Sequence, residues 1–147
     1  MSIREEMPLL ARHEGEWAGE YIWVDADGTV TDRHATHLAC TFPEHGEWPY
    51  YQVNTYTWPD GRTEVIHFPA TYQDRRIWFD TDRINGHAWE VDERTICLTW
   101  TRKDDPAGFF YEMIQLDDTG TKRSRVWQWF EDGVCTRRTL INEHRVA

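Results

Sequence analysis

Two neighbouring stretches carry groups that could hold or transform a small molecule. In Phe110–Ile114, Glu112 shares one strand face with Phe110, Ile114 and Leu116. A carboxylate among apolar neighbours needs a cationic partner or a raised pKa. The next stretch carries Arg123, Arg125, Trp127 and Trp129 on one face. A hairpin centred on Asp118 and Thr119 would set Glu112 opposite Arg125. Facing inward, that pair could orient a ligand's carboxylate or hydroxyl, or poise an acid–base step. Facing outward, it would be a surface ion pair of small energetic weight. His67, between Ile66 and Phe68, is the general-base candidate, because only histidine titrates near neutrality unaided.

A third stretch, Tyr50–Trp58, alternates cleanly. One face carries Gln52, Asn54, Tyr56 and Trp58, which suits a polar and aromatic pocket wall. The same face would equally serve as a wet surface. Tyr51, Val53, Thr55 and Thr57 form an ordinary β surface. Candidate catalytic residues are therefore His67, Glu112 and Tyr56. Candidate ligand-binding residues are Tyr21, Gln52, Asn54, Trp58, Trp89, Arg125 and Trp127. His34 and His37 lie three apart, so on a strand they point to opposite faces and cannot share a metal. Cys40, Cys97 and Cys135 have neither disulfide-scaffold nor zinc spacing and read as reduced, mostly buried thiols. No metal or cofactor is expected. A glycine-rich phosphate loop and a Gly-x-Ser-x-Gly elbow are both missing from the sequence.

The elements that must position these groups are strands. After Gly15 the apolar period is two, and it stays two. Asp27-Gly28, Pro59-Asp60-Gly61, Asn85-Gly86 and Asp132-Gly133 mark tight turns between short strands. The segment 3–13 is the one helical stretch, with Ser2 and Glu5 spaced as a capping box and Pro8 restarting the turn. A meander of about ten strands without helices to cover it must close or stack. The expected fold is an all-β antiparallel up-and-down barrel with a short N-terminal helix; a two-sheet sandwich is the alternative. The 147 residues fit one domain spanning 1–147.

Composition narrows the partners. Net charge is −10, which disfavours nucleic acid and anionic membranes. The acidic N-terminus does not read as a secretory signal, so a cytoplasmic location is expected. Nine Trp, six Tyr and six Phe exceed what a core of this size needs, and the surplus suits the walls of a pocket for a flat apolar molecule. Trp48, in the loop before Pro49, is placed to cover its mouth. Three functions remain open. A cofactor-free acid–base enzyme (isomerase, cyclase or lyase) would use the cup for chemistry. A carrier or sensor would only hold the ligand. An interaction module would pair outward aromatics in a homodimer.

Gly15-Glu16-Trp17-Ala18-Gly19-Glu20-Tyr21, preceded by a short helix, resembles the opening of calycin barrels. That superfamily includes lipocalin-like and nitrobindin-like proteins, and the extended form looks most like the DUF3598-type domains. The resemblance implies that Trp17 plugs the closed end beneath a basic side chain, for which Arg137 and Arg138 are the candidates. It also raises haem binding, which nitrobindin-like barrels achieve through a histidine near the C-terminus. Here that residue is His144, in polar surroundings that suit haem poorly.

Overall fold

The computed structural model describes residues 2–147. Ten antiparallel strands close into one barrel, each paired with its sequence neighbour and β1 paired with β10. They are β1 (Gly15–Asp25), β2 (Val30–Thr41), β3 (Tyr50–Thr57), β4 (Thr63–Gln73), β5 (Arg76–Asp80), β6 (Ile84–Glu90), β7 (Thr95–Arg102), β8 (Gly108–Leu116), β9 (Lys122–Glu131) and β10 (Val134–Arg145). Closure leaves no free sheet edge. The expected barrel is what forms, and the sandwich is not.

The N-terminal segment makes two short helices, α1 (Ile3–Glu6) and α2 (Pro8–Arg12). The Ser2 hydroxyl accepts from the Glu5 amide, and Pro8 opens the second helix, where its missing N–H costs nothing. Met7, Leu9 and Leu10 are buried in the same core cluster as Trp17, Cys40, Phe42 and Ala70. Antiparallel pairing of sequence neighbours sends successive turns to alternate ends, so the helices share the closed end with the β2–β3 loop. Trp48 therefore lies at the floor and does not cover the mouth.

Trp17 is fully buried, and its Nε1–H donates to the His13 carbonyl at 3.0 Å. The guanidiniums over its ring belong to Arg123 (4.6 Å) and Arg145 (4.4 Å), not to Arg137 or Arg138. The register explains the correction: Trp17 opposes Arg145 across β1 and β10, whereas Arg137 opposes Asp25 at the other end. Arg145 also donates to the carbonyls of Arg12, Glu14 and Gly120, tying the helices to the β8–β9 turn.

Two further expectations change. Asn85-Gly86 is not a turn but the middle of a strand pair. Gly86 opposes Trp100, whose Cβ occupies the space a side chain at 86 would need. The turn instead lies at 81–83, where the Thr81 hydroxyl accepts from the amides of Arg83 and Ile84. The β8–β9 hairpin centres between Thr119 and Gly120, one residue later than expected, because the Asp117 carboxylate gathers the amides of Thr121 and Lys122. Of the cysteines, Cys40 is buried and Cys97 half-buried, but Cys135 is exposed.

Candidate functional site

The barrel encloses a cavity of about 370 Å³, open at the end opposite the helices. That size lies within the range that takes a small organic molecule, roughly 300–1,000 Å³. Alternation decides which side chains reach it. On β3 the inward set is Tyr50, Gln52, Asn54 and Tyr56, and these form a hydrogen-bonded ladder. Tyr50 donates to Gln52 Oε1 (2.7 Å), Gln52 Nε2 donates to Asn54 Oδ1 (2.7 Å), and Asn54 Nδ2 donates to the Tyr56 hydroxyl (2.8 Å). The chain runs one way, so Tyr56 enters it as an acceptor and keeps its own proton to donate. Burial pushes the Tyr56 phenol above its ordinary pKa, which holds that proton in place at neutral pH.

The carboxylate and guanidinium pair is inside. Arg125 Nε donates to Glu112 Oε2 at 2.6 Å, and Arg125 Nη2 donates to the Tyr21 hydroxyl at 3.1 Å. The residue directly opposite Glu112 is Trp127, and Arg125 opposes Ile114. The pair thus forms along the diagonal, on one inward face. A second buried carboxylate, Glu143, receives Arg123 Nε at 2.8 Å and lies 3.5 Å from Arg125 Nη1. Burial alone would raise the Glu143 pKa; Arg125 and Arg123 outweigh it and hold the carboxyl below its ordinary value. Two buried cations meet two buried carboxylates, which compensates the burial of charge, although Arg125 Nη1 and Glu143 Oε2 make no hydrogen bond. Burial also raises the Tyr21 phenol well above its ordinary value, with the Arg125 charge opposing, so Tyr21 too stays protonated.

Of the expected site residues, Tyr21, Gln52, Asn54, Tyr56, Trp58, Glu112, Arg125 and Trp127 line the cavity. His67 also borders the cavity, but its ring turns outward, and Trp89 does not border it. The inward residues of β4 are Ile66, Phe68 and Ala70. His67 is exposed between them, with Nδ1 2.9 Å from the Tyr51 hydroxyl on the outer wall. Trp89 shares the outer face of β6 with His87, beneath the Arg76 guanidinium at 4.9 Å. Both rings point outward because the strand period puts odd and even residues on opposite sides, and the inward parity of each strand is set by closure.

His34, which the sequence offers only as half of an unworkable metal pair, belongs to the site. It is buried, and its Nδ1 lies 2.6 Å from Asp32 Oδ2. Tyr21 and Trp58 stack on its ring at 5.0 and 4.4 Å. In the tautomer that carries its proton on Nδ1, the ring donates to Asp32 and Nε2 is the acceptor, at a residue of the cavity wall. The available signal was Asp32 two positions earlier, a spacing that puts both groups on one strand face. His37, as expected from its spacing, faces out and pairs with Glu16 at 3.2 Å. His144 is exposed on the outer wall of β10. It does not fit a haem ligand for this cavity. Among the described residues no cluster of three or more His, Cys, Asp or Glu could hold a metal ion. Among the described residues no helix is long and apolar enough to cross a membrane.

No family model matches the sequence, and no curated protein matches it. Solved structures match the fold. A DUF3598-family protein of unknown function from Nostoc punctiforme superposes with a TM-score of 0.72 at 19% identity, over 93% of this chain and 49% of that one. This chain thus spans about half the length of that protein. The S-type phycobiliprotein lyase CPES from Guillardia theta gives 0.68 at 14% identity, over 100% and 94% of the two chains. Rv2717c from M. tuberculosis gives 0.65 at 13% identity, over 97% and 98%. At these identities the likeness is one of fold.

Proposed function

We propose that this barrel takes up a small, flat, largely apolar or aromatic molecule through its open end and hydrogen-bonds it from the β3 wall and from Arg125. One observation carries this reading: an open cavity with ring-bearing walls and a one-way polar ladder that ends in a free donor, Tyr56. Rigid rings bind flat molecules at low entropic cost, and a few fixed polar groups set orientation. The fold likeness to DUF3598 proteins and to a phycobiliprotein lyase is consistent with such a cup, and kinship with the DUF3598 group is part of the same proposal.

The neutral fluorescent probe N-phenyl-1-naphthylamine tests it. Wild type should bind the probe saturably, one per chain, with transfer of tryptophan excitation to it. Leu98 is buried and lines the cavity, so Leu98→Trp should fill the space and abolish binding. Equal binding by that variant would remove the cavity as the site.

A second reading, acid–base catalysis, is favoured by the Asp32–His34 dyad. A base oriented by a carboxylate, with two protonated phenols and a guanidinium nearby, suits proton abstraction followed by isomerisation, cyclisation or elimination. His34 is the base in this reading and Tyr56 the acid, replacing His67. The probe 5-nitrobenzisoxazole undergoes elimination on proton removal alone. His34→Gln should slow its turnover about 100-fold, whereas His67→Gln should leave it unchanged. Equal rates in all three proteins would leave the cavity a carrier.

A further inference from the structure

The cavity of this acidic chain is cationic. Arg83, Arg102, Arg125 and Arg137 line it against Glu64 and Glu112, although the net charge of the protein is −10. Three of these arginines already lie against a carboxylate, although Arg125 Nη1 makes no hydrogen bond of its own. Arg125 holds Glu112, Arg102 grips Asp104 through two bonds of 2.9 and 2.6 Å, and Arg83 lies 3.9 Å from Glu64. Arg137 has no carboxylate within 4.0 Å among the described residues, and its Nε is buried without an acceptor. What surrounds it is aromatic: its guanidinium lies 4.7 Å from the centre of the Trp23 ring, 5.8 Å from Trp129 and 6.0 Å from Trp127. Aromatic faces stabilise the cation but accept none of its N–H groups as a carboxylate would.

Local backbone supports the same point. The ladder slips between Trp23 and Val24 on β1 and again between Cys135 and Arg137 on β10. Such bulges re-aim side chains, and these two lie near the one of the four cavity arginines that has no carboxylate within 4.0 Å among the described residues. A buried Nε–H without an acceptor is costly unless one arrives. Trp23 and Trp127, the rings beside it, both line the cavity.

We propose that Arg137 is the anion-binding subsite of the cavity, and that the ligand is an aromatic or conjugated acid whose carboxylate meets this guanidinium at the mouth. This rests on the ligand-binding reading above and names the ligand's class. The ring system lies among Trp23, Trp127 and Phe110, and its far end reaches Tyr56 and Arg125. The acid group stays near solvent and the apolar body goes deep, which places the larger desolvation gain on the part that benefits from it.

Two probes with the same aromatic core separate the terms: 8-anilinonaphthalene-1-sulfonate carries an anion, and N-phenyl-1-naphthylamine carries none. Wild type should bind the sulfonate more tightly, and added sodium chloride should weaken only the sulfonate. Arg137→Gln should weaken the sulfonate about tenfold or more and leave the neutral probe unchanged, which also shows that the variant is folded. Arg138→Gln, on the exposed neighbour, should change neither. Neutral binding without preference for the sulfonate, or equal loss of both probes in Arg137→Gln, would overturn the subsite and leave the cavity reading standing. Failure of wild type to bind either probe would overturn both.

Discussion

His13 shows how one buried side chain ties charge to stability. Its Nδ1 accepts from Arg123 Nη1 at 3.0 Å, which requires a neutral ring. Burial, then the Arg123 charge, holds its pKa well below the ordinary 6.5. The unfolded chain therefore takes up a proton that the folded protein refuses. The stabilisation is complete above about pH 6.5 and declines as pH falls toward the folded pKa, by up to about 1.4 kcal/mol per pH unit. Urea unfolding at stepped pH should show that slope in wild type. His13→Gln, whose amide oxygen can still accept from Arg123, should remove it. An unchanged slope in the variant would assign the acid sensitivity elsewhere. The same logic separates Glu143, whose contribution is lost only lower, as pH falls through the carboxylate range.

At the level of elements, β1 depends on two glycines for different reasons. Gly15 has φ +124, a conformation that L side chains rarely adopt, and it starts the strand directly from the helical segment. Gly19 has ordinary backbone angles, but a Cβ there would fall on the Asn142 carbonyl of β10. The seam that closes the barrel is thus spaced by a missing side chain. Gly19→Ala should cost about 1–3 kcal/mol, read as a lower thermal midpoint. A midpoint equal to wild type would mean that β10 can move away freely, contrary to its dense pairing with both β9 and β1.

Across the whole molecule, the two ends of the barrel have opposite tasks. The floor is locked: helices, Trp17, two guanidiniums and a buried ion network leave little freedom there. The mouth carries the cavity and its surplus cations, ringed by Trp23, Trp58 and Trp129. That asymmetry sets the direction of entry, because only one end can admit a molecule without breaking buried ionic contacts, which typically costs about 3–5 kcal/mol each. It also separates stability from binding. Changes at the mouth should alter affinity more than folding, and changes at the floor should do the reverse.

The amino-acid order determined the period-two pattern, the turns at Gly28, Gly61 and Gly133, and the opening motif around Trp17. Those are local properties, and from them the barrel and most of its strands follow. It also placed Glu112 and Arg125 within reach of one another, since a hairpin joins neighbours in sequence. Tertiary structure alone decided which parity of each strand faces in. That choice turned His67 and Trp89 outward, brought His34 beside Trp58 and Tyr21, and set Arg137 over Trp23 instead of Trp17. The reason is physical: parity and register are fixed when the last strand closes on the first, a contact between residues more than a hundred positions apart that no local pattern encodes.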